Sequence, residues 1–422
     1  MTGPNTPERG AVTGTEVRPR PRAALPALCA TQITSWGIVY YAFPVLNPQI
    51  TTATGWPTGA TTAAFSAGLL VSAVAGIHVG RTIDRHGPRT VMTTGSVLGV
   101  LSILVIASAP SLPVFVAGWL LAGLAMAGTF YQPAFAALTR WWAPDHVRAL
   151  TIVTLAGGLA STAFAPLTAA LANHMSWRAT YATLAVILAL VTIPAHALAL
   201  KAPWPKSSVS TAPRAADSAA EVARTRPFRM LATTLTLSAF TVSAAVIALV
   251  PLMTERGYTS TEAAWALGLG GVGQTLGRTL YATLARHTEP TTRTIGLVAL
   301  GAFTTAVLAI TPGPYALLVA LSVAAGTVRG NLTLLQATAI TDRWGTTHYG
   351  RLSGLLAAPT TTAAAIAPFA GTAIAARLGG YPQLFIALAA VSAAACMTGC
   401  TTTPGRAGDN GSAPGTTELF PR

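Results

Sequence analysis

The sequence is dominated by apolar runs of about twenty residues, separated by short polar segments. Runs 60–79 and 90–109, for example, are each long enough to cross a bilayer at about 1.5 Å per residue. Lipid offers the backbone no hydrogen-bond partner, so runs of this kind have to form helices. The pattern predicts an all-α membrane protein with twelve transmembrane helices. The predicted spans are 28–50, 60–79, 90–109, 114–138, 149–171, 179–200, 230–253, 263–285, 294–310, 315–340, 352–376 and 381–401.

The composition indicates the same class of protein. Only 9% of residues are charged, whereas hydrophobic residues make up 52% and the mean hydropathy is +0.54. A soluble globular domain carries about 25% charged residues. The formal net charge of +14 raises the question of nucleic acid, but the basic residues fall in short gaps between apolar runs. We therefore predict a multi-pass protein of the cell membrane whose partner is the lipid bilayer, and no nucleic acid.

One long polar interruption divides the apolar runs into two groups of six. It is rich in Ala, Ser and Pro and lacks helical apolar periodicity, which is typical of a linker. The predicted organisation is a cytoplasmic tail 1–24, a six-helix bundle 25–200, a cytoplasmic linker 201–227, a second six-helix bundle 228–402 and a cytoplasmic tail 403–422.

The distribution of Lys and Arg predicts the orientation of these helices. If the N-terminus is cytoplasmic, the predicted outer loops contain only Arg178, Arg256 and Arg377, and almost all other basic residues lie on the cytoplasmic side. Positive charge is concentrated on the cytoplasmic side of membrane proteins. Both termini are therefore predicted to be cytoplasmic.

A dense group of charges lies between the second and third predicted spans. It contains Gly80, Asp84, Arg85, Gly87 and Arg89 in the pattern Gly-x-x-x-Asp-Arg-x-Gly-x-Arg. We predict a loop at the membrane face, in which the glycines permit a tight reversal. Asp84 is expected near the start of the following helix, where the helix dipole favours a carboxylate. An ordinary basic loop with a helix cap is the alternative interpretation.

This pattern, at this position in the chain, resembles the signature loop of the major facilitator superfamily. The resemblance implies the major facilitator fold, in which two six-helix bundles rock around a central site. In that family the loop acts in the alternating-access cycle, and its Asp meets the start of helix 11 when the cytoplasmic side is closed. The resemblance gives Asp84 and Arg85 this gating role.

The sequence contains no motif typical of an enzyme. No cluster of His, Asp and Glu has metal-ligand spacing, and no Gly-rich phosphate loop precedes a Lys and a Ser or Thr. The Gly-rich run 268–273 lies inside a predicted span, where small residues favour close packing of helices. Cys29, Cys396 and Cys400 lie in apolar runs and are interpreted as packing residues. We predict no enzymatic activity, no metal and no cofactor.

Two arginines lie inside predicted spans, although the acidic residues all lie in tails, loops or helix ends. Arg329 is expected about 20 Å from either end of its helix, and Arg278 about 12 Å from the cytoplasmic side. A charge at such depth costs at least about 2.5–3.5 kcal/mol and faces a cavity or a partner. We hypothesise that an anionic substrate group, such as a carboxylate, is the counterion. Alternatively, the arginines bond backbone carbonyls or waters at broken helices, or Arg278 reaches the cytoplasmic interface.

Other polar side chains are predicted at similar depth. Those expected to line a substrate cavity with the two arginines are Tyr40, Tyr41, Tyr131, Gln132, Gln274 and Asn331. For each of them, a hydrogen bond between helices is the alternative role. His78 and His196 lie near cytoplasmic helix ends, where each would either relay a proton or pack as a satisfied side chain.

Residues 36–44, Trp-Gly-Ile-Val-Tyr-Tyr-Ala-Phe-Pro, and the following Gly55-Trp56 resemble the first helix and loop of the oxalate–formate antiporter and monocarboxylate transporter branch. Those relatives hold a carboxylate with an arginine of helix 8, and Arg278 occupies that helix here. Drug/proton antiporters are less similar. The chain has no acidic residue in helix 1, and helix 5 contains Ala165-Pro166-Leu167-Thr168 in place of their Gly-Pro-x-x-Gly-Gly.

Together these observations predict a secondary active or facilitative transporter of a small organic solute that carries a carboxylate. Efflux of a neutral or cationic drug or secondary metabolite is one alternative, and a non-transporting receptor or scaffold is an alternative of another class. The expected partners are a small-molecule substrate, the bilayer, and a coupling ion or counter-substrate. The chain is expected to act as a monomer.

Overall fold

The computed structural model describes residues 21–142, 146–204, 221–345 and 349–399, and the side chains of the last range from residue 352 onwards. Every regular element in these ranges is helical, which confirms the all-α prediction. Before the predicted linker the helices are α1 (Ala24–Trp36), a π segment (Gly37–Tyr41), α2 (Ala42–Thr54), α3 (Thr58–His86), α4 (Pro88–Ser108), α5 (Leu112–Thr129), α6 (Tyr131–Trp141), α7 (His146–Gly158), α8 (Ala160–His174) and α9 (Trp177–Ala199). After it they are α10 (Arg226–Glu255), α11 (Ser260–His287), α12 (Pro290–Ile310), α13 (Tyr315–Thr338), α14 (Thr341–Trp344), α15 (Tyr349–Leu378) and α16 (Tyr381–Gly399).

Within the described ranges, ten helical segments are long and apolar enough to cross a membrane. The predicted spans 28–50 and 263–285 are not among these ten. The first of them is divided by the π segment into two α-helices of 13 residues each. The second is the 28-residue α11, whose glycines and whose Gln274 and Arg278 lower its apolarity. The total of twelve spans and the cytoplasmic position of both termini stay predictions.

The charged stretch 80–89 is mostly helical, so its prediction as a loop is wrong. Helix α3 continues through this stretch, and only Gly87 separates α3 from α4. Gly87 has a φ of 82°, and the following Pro88 has the fixed φ that suits the first turn of a helix. Asp84 therefore lies in the last turn of α3 and not near the start of α4. A carboxylate is unfavourable at a helix C-terminus, and the ion pair of Asp84 with Arg140 offsets this effect.

Three predicted spans are interrupted where the sequence predicts continuous helices. The π segment divides the first span, Phe130 with extended backbone separates α5 from α6, and Leu159 separates α7 from α8. Gly37 begins the π segment, and a Cβ at this position would overlap the ring of Phe164. Such interruptions expose backbone carbonyls and often mark functional sites.

Helix α10 begins inside the predicted linker 201–227. Thr225 caps its N-terminus by accepting a hydrogen bond from the Phe228 backbone N–H, and Pro227 occupies the first turn. These local signals extend the helix beyond the predicted start of the span at residue 230. Residues 205–220 of the predicted linker lie outside the described residues, and the division into two bundles stays a prediction.

Aromatic rings hold α2, α3 and α5 together. Phe43 stacks on Phe65 with ring centroids 4.5 Å apart, and Trp119 meets the two rings edge-on at 5.2 and 4.8 Å. All three side chains are fully buried. Such aromatic pairs contribute about 0.5–1.5 kcal/mol each beyond the area they bury.

Helices α11 and α13 instead approach backbone to backbone. A Cβ added at Gly326 would overlap the carbonyl oxygen of Gly270, and one added at Gly330 would overlap that of Gln274. This contact confirms that the Gly-rich run 268–273 packs helices together. It also brings Arg329 of α13 beside Gln274 of α11.

We expect Gly330→Ala to lower the melting temperature of the purified protein. The added methyl group has no space, and overpacking costs about 1–3 kcal/mol. The matched control is Gly296→Ala, because a Cβ at that helical position meets no atom within 4 Å. The control is expected to be neutral or slightly stabilising, since Ala favours helix over Gly. Equal melting temperatures for the two variants in a thermal denaturation assay would contradict the close backbone contact.

Candidate functional site

A cavity of about 420 Å³ lies between helices from both sides of the predicted linker. It brings together seven of the side chains that the sequence singles out. These are Tyr40, Tyr41, Tyr131, Gln132, Gln274, Arg278 and Arg329. The eighth, Asn331, is not part of the cavity wall. Its side-chain amide donates to the Thr327 carbonyl 3.0 Å away.

Arg278 connects the two parts of the chain across this cavity. Its side chain is only 4% exposed, and its Nη1 donates to the Thr154 carbonyl of α7 and to the Tyr131 hydroxyl of α6, the latter at 3.5 Å. Its Nε is buried and has no hydrogen-bond partner within the described ranges. Among the described residues no carboxylate forms a salt bridge with Arg278. The Nε of the guanidinium group is thus an unused donor at the cavity.

The interruption of the fifth predicted span explains why backbone carbonyls are available to α11. The Leu159 N–H donates to the Ala156 carbonyl three residues back, so the Leu155 carbonyl loses its usual helical partner. The Leu155 carbonyl accepts instead from the Thr275 hydroxyl of α11 at 3.4 Å. A Cβ at Gly158 would lie 2.7 Å from the Thr275 hydroxyl and 3.2 Å from Arg278 Nη1. Close approach of α7 to Arg278 therefore requires glycine at this position.

Arg329 lies on the neighbouring helix α13. Its Nη2 donates to Gln274 Oε1 at 3.3 Å, and its buried Nε has no partner among the residues that the structure describes. Gln274 precedes Arg278 by one turn of α11, so the two guanidinium groups lie on one wall of the cavity with Gln274 beside them. In the described part of the chain, Arg329 also has no salt bridge to a carboxylate.

Aromatic side chains form another part of the cavity wall. Trp36 stacks on Phe130 with ring centroids 4.0 Å apart, and Tyr40 meets Tyr41 edge-on at 5.1 Å. Consecutive residues of an α-helix point about 100° apart. Tyr40 and Tyr41 are consecutive residues, yet both line the cavity, and they lie in the π segment and not in a regular α-helix.

Gln32 holds this wall in place, although the sequence does not single it out. Its Nε2 donates to the Thr129 carbonyl at 2.7 Å, next to the interruption at Phe130. Its Oε1 accepts from the Trp36 indole N–H at 3.2 Å. Gln32 thus satisfies a carbonyl at the break between α5 and α6 and fixes the ring beside the cavity. The available sequence signal was a polar residue inside a predicted span, one helical turn before Trp36.

The two histidines are not part of the cavity. His196 is fully buried, and its ring nitrogens lie 2.7 Å from the Ser96 hydroxyl and 3.0 Å from the Thr31 hydroxyl. This arrangement is that of a satisfied packing residue. His78 is exposed on α3.

The charged motif joins the ends of four helices, α3, α4, α6 and α9. Asp84 Oδ1 accepts from Arg140 Nη2 at 2.6 Å, and the Asp84 carbonyl accepts from the Trp204 indole at 3.2 Å. Arg89 Nε donates to the Ala197 carbonyl at 2.9 Å. The described partners of Asp84 therefore lie on α6 and just beyond α9. Gly80 and Arg85 belong to the helical end of α3.

A second charged cluster lies between α12 and α14, and the sequence reasoning missed it. Arg293, which is buried, forms a salt bridge with Asp342. Arg343 Nη2 donates to the Thr294 hydroxyl at 2.8 Å and to the Pro290 carbonyl at 3.1 Å. Burial lowers the pKa of Arg343 to about 10. Arg293 and Asp342 are 49 residues apart in the sequence, so their pairing is recognised only once both helices are placed.

Three hydrogen bonds connect the two parts of the chain toward the end where α3 and α11 begin. They run from the Phe369 N–H to the Ser66 hydroxyl (3.1 Å), from the Thr162 hydroxyl to the Gly268 carbonyl (2.8 Å) and from Asn173 Nδ2 to the Thr261 hydroxyl (2.8 Å). In the predicted orientation this end faces the outside. As for metals, no group of three His, Cys, Asp or Glu residues lies together in the described ranges.

Comparison with known proteins adds a family match. The family model described as Major Facilitator Superfamily matches residues 28–319 and 231–420. The two matched segments overlap and together extend over nearly the whole chain.

Several curated proteins are similar over part of the sequence. Monocarboxylate transporter 13 of Bos taurus is 28% identical over 198 residues, which are 46% of this chain and 45% of that protein. An uncharacterized 38 kDa protein in the 23S RNA operon of Thermoproteus tenax is 32% identical over 42% of this chain and 45% of that protein. The uncharacterized MFS-type transporter YcxA of Bacillus subtilis is 29% identical over 35% of this chain and 36% of that protein. This chain thus spans less than half the length of the curated relatives it matches.

Solved structures show the same fold. A bacterial homolog to the human lysosomal transporter Spinster, in an inward-facing and unoccupied conformation, has a TM-score of 0.73 over 91% of this chain and 97% of that chain, with 13% identity. A single-site mutant of the nucleoside transporter NupG has a TM-score of 0.72 over 90% of this chain and 99% of that chain, also with 13% identity. At this level of identity the likeness concerns the fold alone.

Proposed function

The chain belongs to the Major Facilitator Superfamily, and from this premise we propose that it carries a small organic carboxylate by alternating access. Family membership and the apolar helices make it a multi-pass transporter of the cell membrane with a small-molecule substrate. The observation that carries the substrate class is Arg278, a buried cation at the cavity with an unused donor and no carboxylate partner in the described ranges.

An unpaired charge is costly inside the membrane. An isolated cation inside the bilayer costs at least about 2.5–3.5 kcal/mol, and neutral hydrogen-bond partners offset only part of this cost. Arg278 has a carbonyl and a hydroxyl as partners, and Arg329 has an amide. A carboxylate bound to the guanidinium group would restore charge balance through charge-assisted hydrogen bonds. A cationic solute would instead add to the repulsion.

The cavity suits the rest of such a solute. Its volume of about 420 Å³ lies in the range of about 300–1,000 Å³ found for small-molecule sites. The rings of Trp36, Tyr40 and Phe130 provide an apolar wall, and the arginines lie on α11 and α13. This arrangement would orient a solute with its carboxylate toward Arg278 and its apolar body toward the rings.

Alternating access is supported by the placement of contacts between the two predicted bundles, 25–200 and 228–402. Three hydrogen bonds join the two predicted bundles on the predicted outer side. The bonds of Arg278 and Thr275 join them beside the cavity. At the predicted cytoplasmic side, Asp84 pairs with Arg140, which belongs to the same predicted bundle. We propose that Asp84 exchanges partners when the cytoplasmic side closes, as the family resemblance implies for the motif Gly80, Asp84, Arg85, Gly87 and Arg89.

Asp84→Asn is therefore expected to slow transport while leaving membrane insertion intact. The substitution keeps the shape of the side chain but removes the charge that attracts Arg140. Because this pair is exposed, the loss should cost little stability, about 1 kcal/mol or less. Initial uptake rates and the amount of inserted protein should be measured together in proteoliposomes. Wild-type rates for the variant would refute the gating role.

A thermal-shift screen of the purified protein tests the substrate class. Saturating carboxylates should raise the melting temperature, since a ligand at a hundred times its Kd stabilises by about 2.7 kcal/mol. Lipophilic cations should have no such effect. If cations stabilise the protein and carboxylates do not, efflux of cationic compounds is favoured and the present proposal fails. Counterflow of the stabilising compound in proteoliposomes separates a transporter from a receptor that only binds.

A further inference from the structure

A second, smaller cavity lies beside the first within residues 221–399. Its volume is about 70 Å³. Ser238, Val242 and Arg329 line both cavities, so they form the boundary between the two. We call this smaller cavity the side chamber.

Two donors at this boundary have no acceptor in the described part of the chain. The Ser238 side chain is 6% exposed, and its hydroxyl has no hydrogen-bond partner among the described residues. Arg329 Nε is also buried and has no partner among these residues, and its Nη2 donates to Gln274 at 3.3 Å. A buried donor without an acceptor costs about 1–3 kcal/mol, and more when the donor is charged. These two groups therefore favour an acceptor that the described side chains do not supply.

Four other hydroxyls of the side chamber, those of Ser322, Thr304, Thr241 and Ser392, are already bonded. Ser322 donates to the Leu318 carbonyl at 2.9 Å, and Thr304 donates to the Leu300 carbonyl at 2.9 Å. Thr241 donates to the Ser238 carbonyl at 3.1 Å, and Ser392 donates to the Thr241 hydroxyl at 3.1 Å. The side chamber thus presents a cation and a free hydroxyl donor at its boundary, which selects for an anion and against a metal cation.

We propose that Arg329 and Ser238 bind a small inorganic monoanion of halide size, separately from the carboxylate held by Arg278. The volume of about 70 Å³ accommodates a halide with a few waters but not a solute that fills the central cavity. Charge balance also favours a second anion. One monocarboxylate neutralises one of the two arginines, so the other still needs a counterion. This site goes beyond the proposed function, since the anion binds whether or not a carboxylate is carried.

The first test compares thermal stability of the purified protein in sodium chloride or bromide with that in sodium methanesulfonate, whose anion is not a carboxylate, at equal ionic strength. Wild type should show a saturable stabilisation by the halides. Ser238→Ala should raise the half-saturating halide concentration by about tenfold, the usual effect of losing one hydrogen bond to a charged group. Ser322→Ala is the matched control, because its hydroxyl lines the same chamber but is bonded within its own helix. It should leave halide binding unchanged.

Anomalous diffraction from crystals grown with bromide then locates the ion. A bromide peak beside Arg329 and Ser238 that persists in the presence of acetate supports a separate site. Displacement of bromide by acetate would assign the site to the carboxylate and overturn the proposal. No difference between halide and methanesulfonate, or equal effects of Ser238→Ala and Ser322→Ala, would also overturn it. Halide binding without any carboxylate binding would count against the proposed function alone.

Discussion

Arg278→Gln is expected to weaken carboxylate binding and uptake by about a hundredfold or more. Glutamine keeps a donor but removes the charge and the planar fork that suit a carboxylate. Truncating one partner of a buried charge pair costs about 2–5 kcal/mol, and each 1.4 kcal/mol is a factor of about ten in affinity. Affinity from thermal shifts and initial rates in proteoliposomes should fall together, because the lost interaction is made by the substrate itself.

Two further variants separate this explanation from its alternatives. Arg286→Gln removes an exposed arginine from the same helix and should leave binding and rates near those of wild type. Arg278→Lys keeps the charge but loses the fork, so its affinity should lie between those of wild type and Arg278→Gln.

A purely structural role for Arg278 makes a different prediction. Its bonds to the Thr154 carbonyl and the Tyr131 hydroxyl would then be its whole contribution. In that case Arg278→Gln would lower the melting temperature without ligand, while the shift produced by carboxylates would stay at its wild-type size. That result would contradict the proposed substrate class.

Gly158→Ala is expected to reduce transport by about tenfold to a hundredfold without removing any polar group. Its methyl group would crowd the Thr275 hydroxyl at 2.7 Å and Arg278 Nη1 at 3.2 Å. The guanidinium group would have to shift, and a displacement of about 1 Å at a reacting or binding group can cost about a hundredfold. Transport rate, carboxylate affinity and melting temperature should be measured on the same preparation.

The expected pattern is a large loss of affinity with a small change in melting temperature. Gly296→Ala provides the control, because it makes the same chemical change where there is open space. If Gly158→Ala binds carboxylates as wild type does, then the position of Arg278 relative to α7 is unimportant for binding. The site as described would then be wrong.

The class of fold follows from the sequence because apolar length and backbone hydrogen bonding leave a membrane chain few choices. The end of α3 shows where this reasoning stops. The charges at Asp84 and Arg85 suggest a loop, yet the helix continues because its end projects beyond the apolar run and Arg140 satisfies the carboxylate. That partner is 56 residues away in the sequence, and no local pattern identifies it.

The interruptions at Phe130 and Leu159 are a similar case. Neither residue is a Pro or Gly, so the sequence there predicts a continuous helix. Both breaks are stabilised by partners on other helices, Gln32 for the first and Thr275 for the second. Tertiary contacts therefore decide these backbone conformations.

The cavity residues illustrate what depth alone can and cannot establish. Depth along the helix selects Arg278, Arg329 and Asn331 equally well. The direction in which each side chain points around its helix separates them. The Asn331 side chain bonds the Thr327 carbonyl of its own helix and lies near Gly277, away from the cavity wall. A single sequence does not tell which way a side chain points around its helix, because this depends on how the helices pack. What Arg278 and Arg329 bind stays a proposal.

The interlocked glycines of α11 and α13 have a consequence for the transport cycle. Two helices whose main chains touch cannot slide past each other without collision, so Gln274, Arg278 and Arg329 keep their mutual spacing as the protein changes state. We expect a bound solute to move together with α11 and α13, which act as one rigid unit. Its discharge would then depend on the withdrawal of α6 and α7, which supply the Tyr131 hydroxyl and the Thr154 carbonyl.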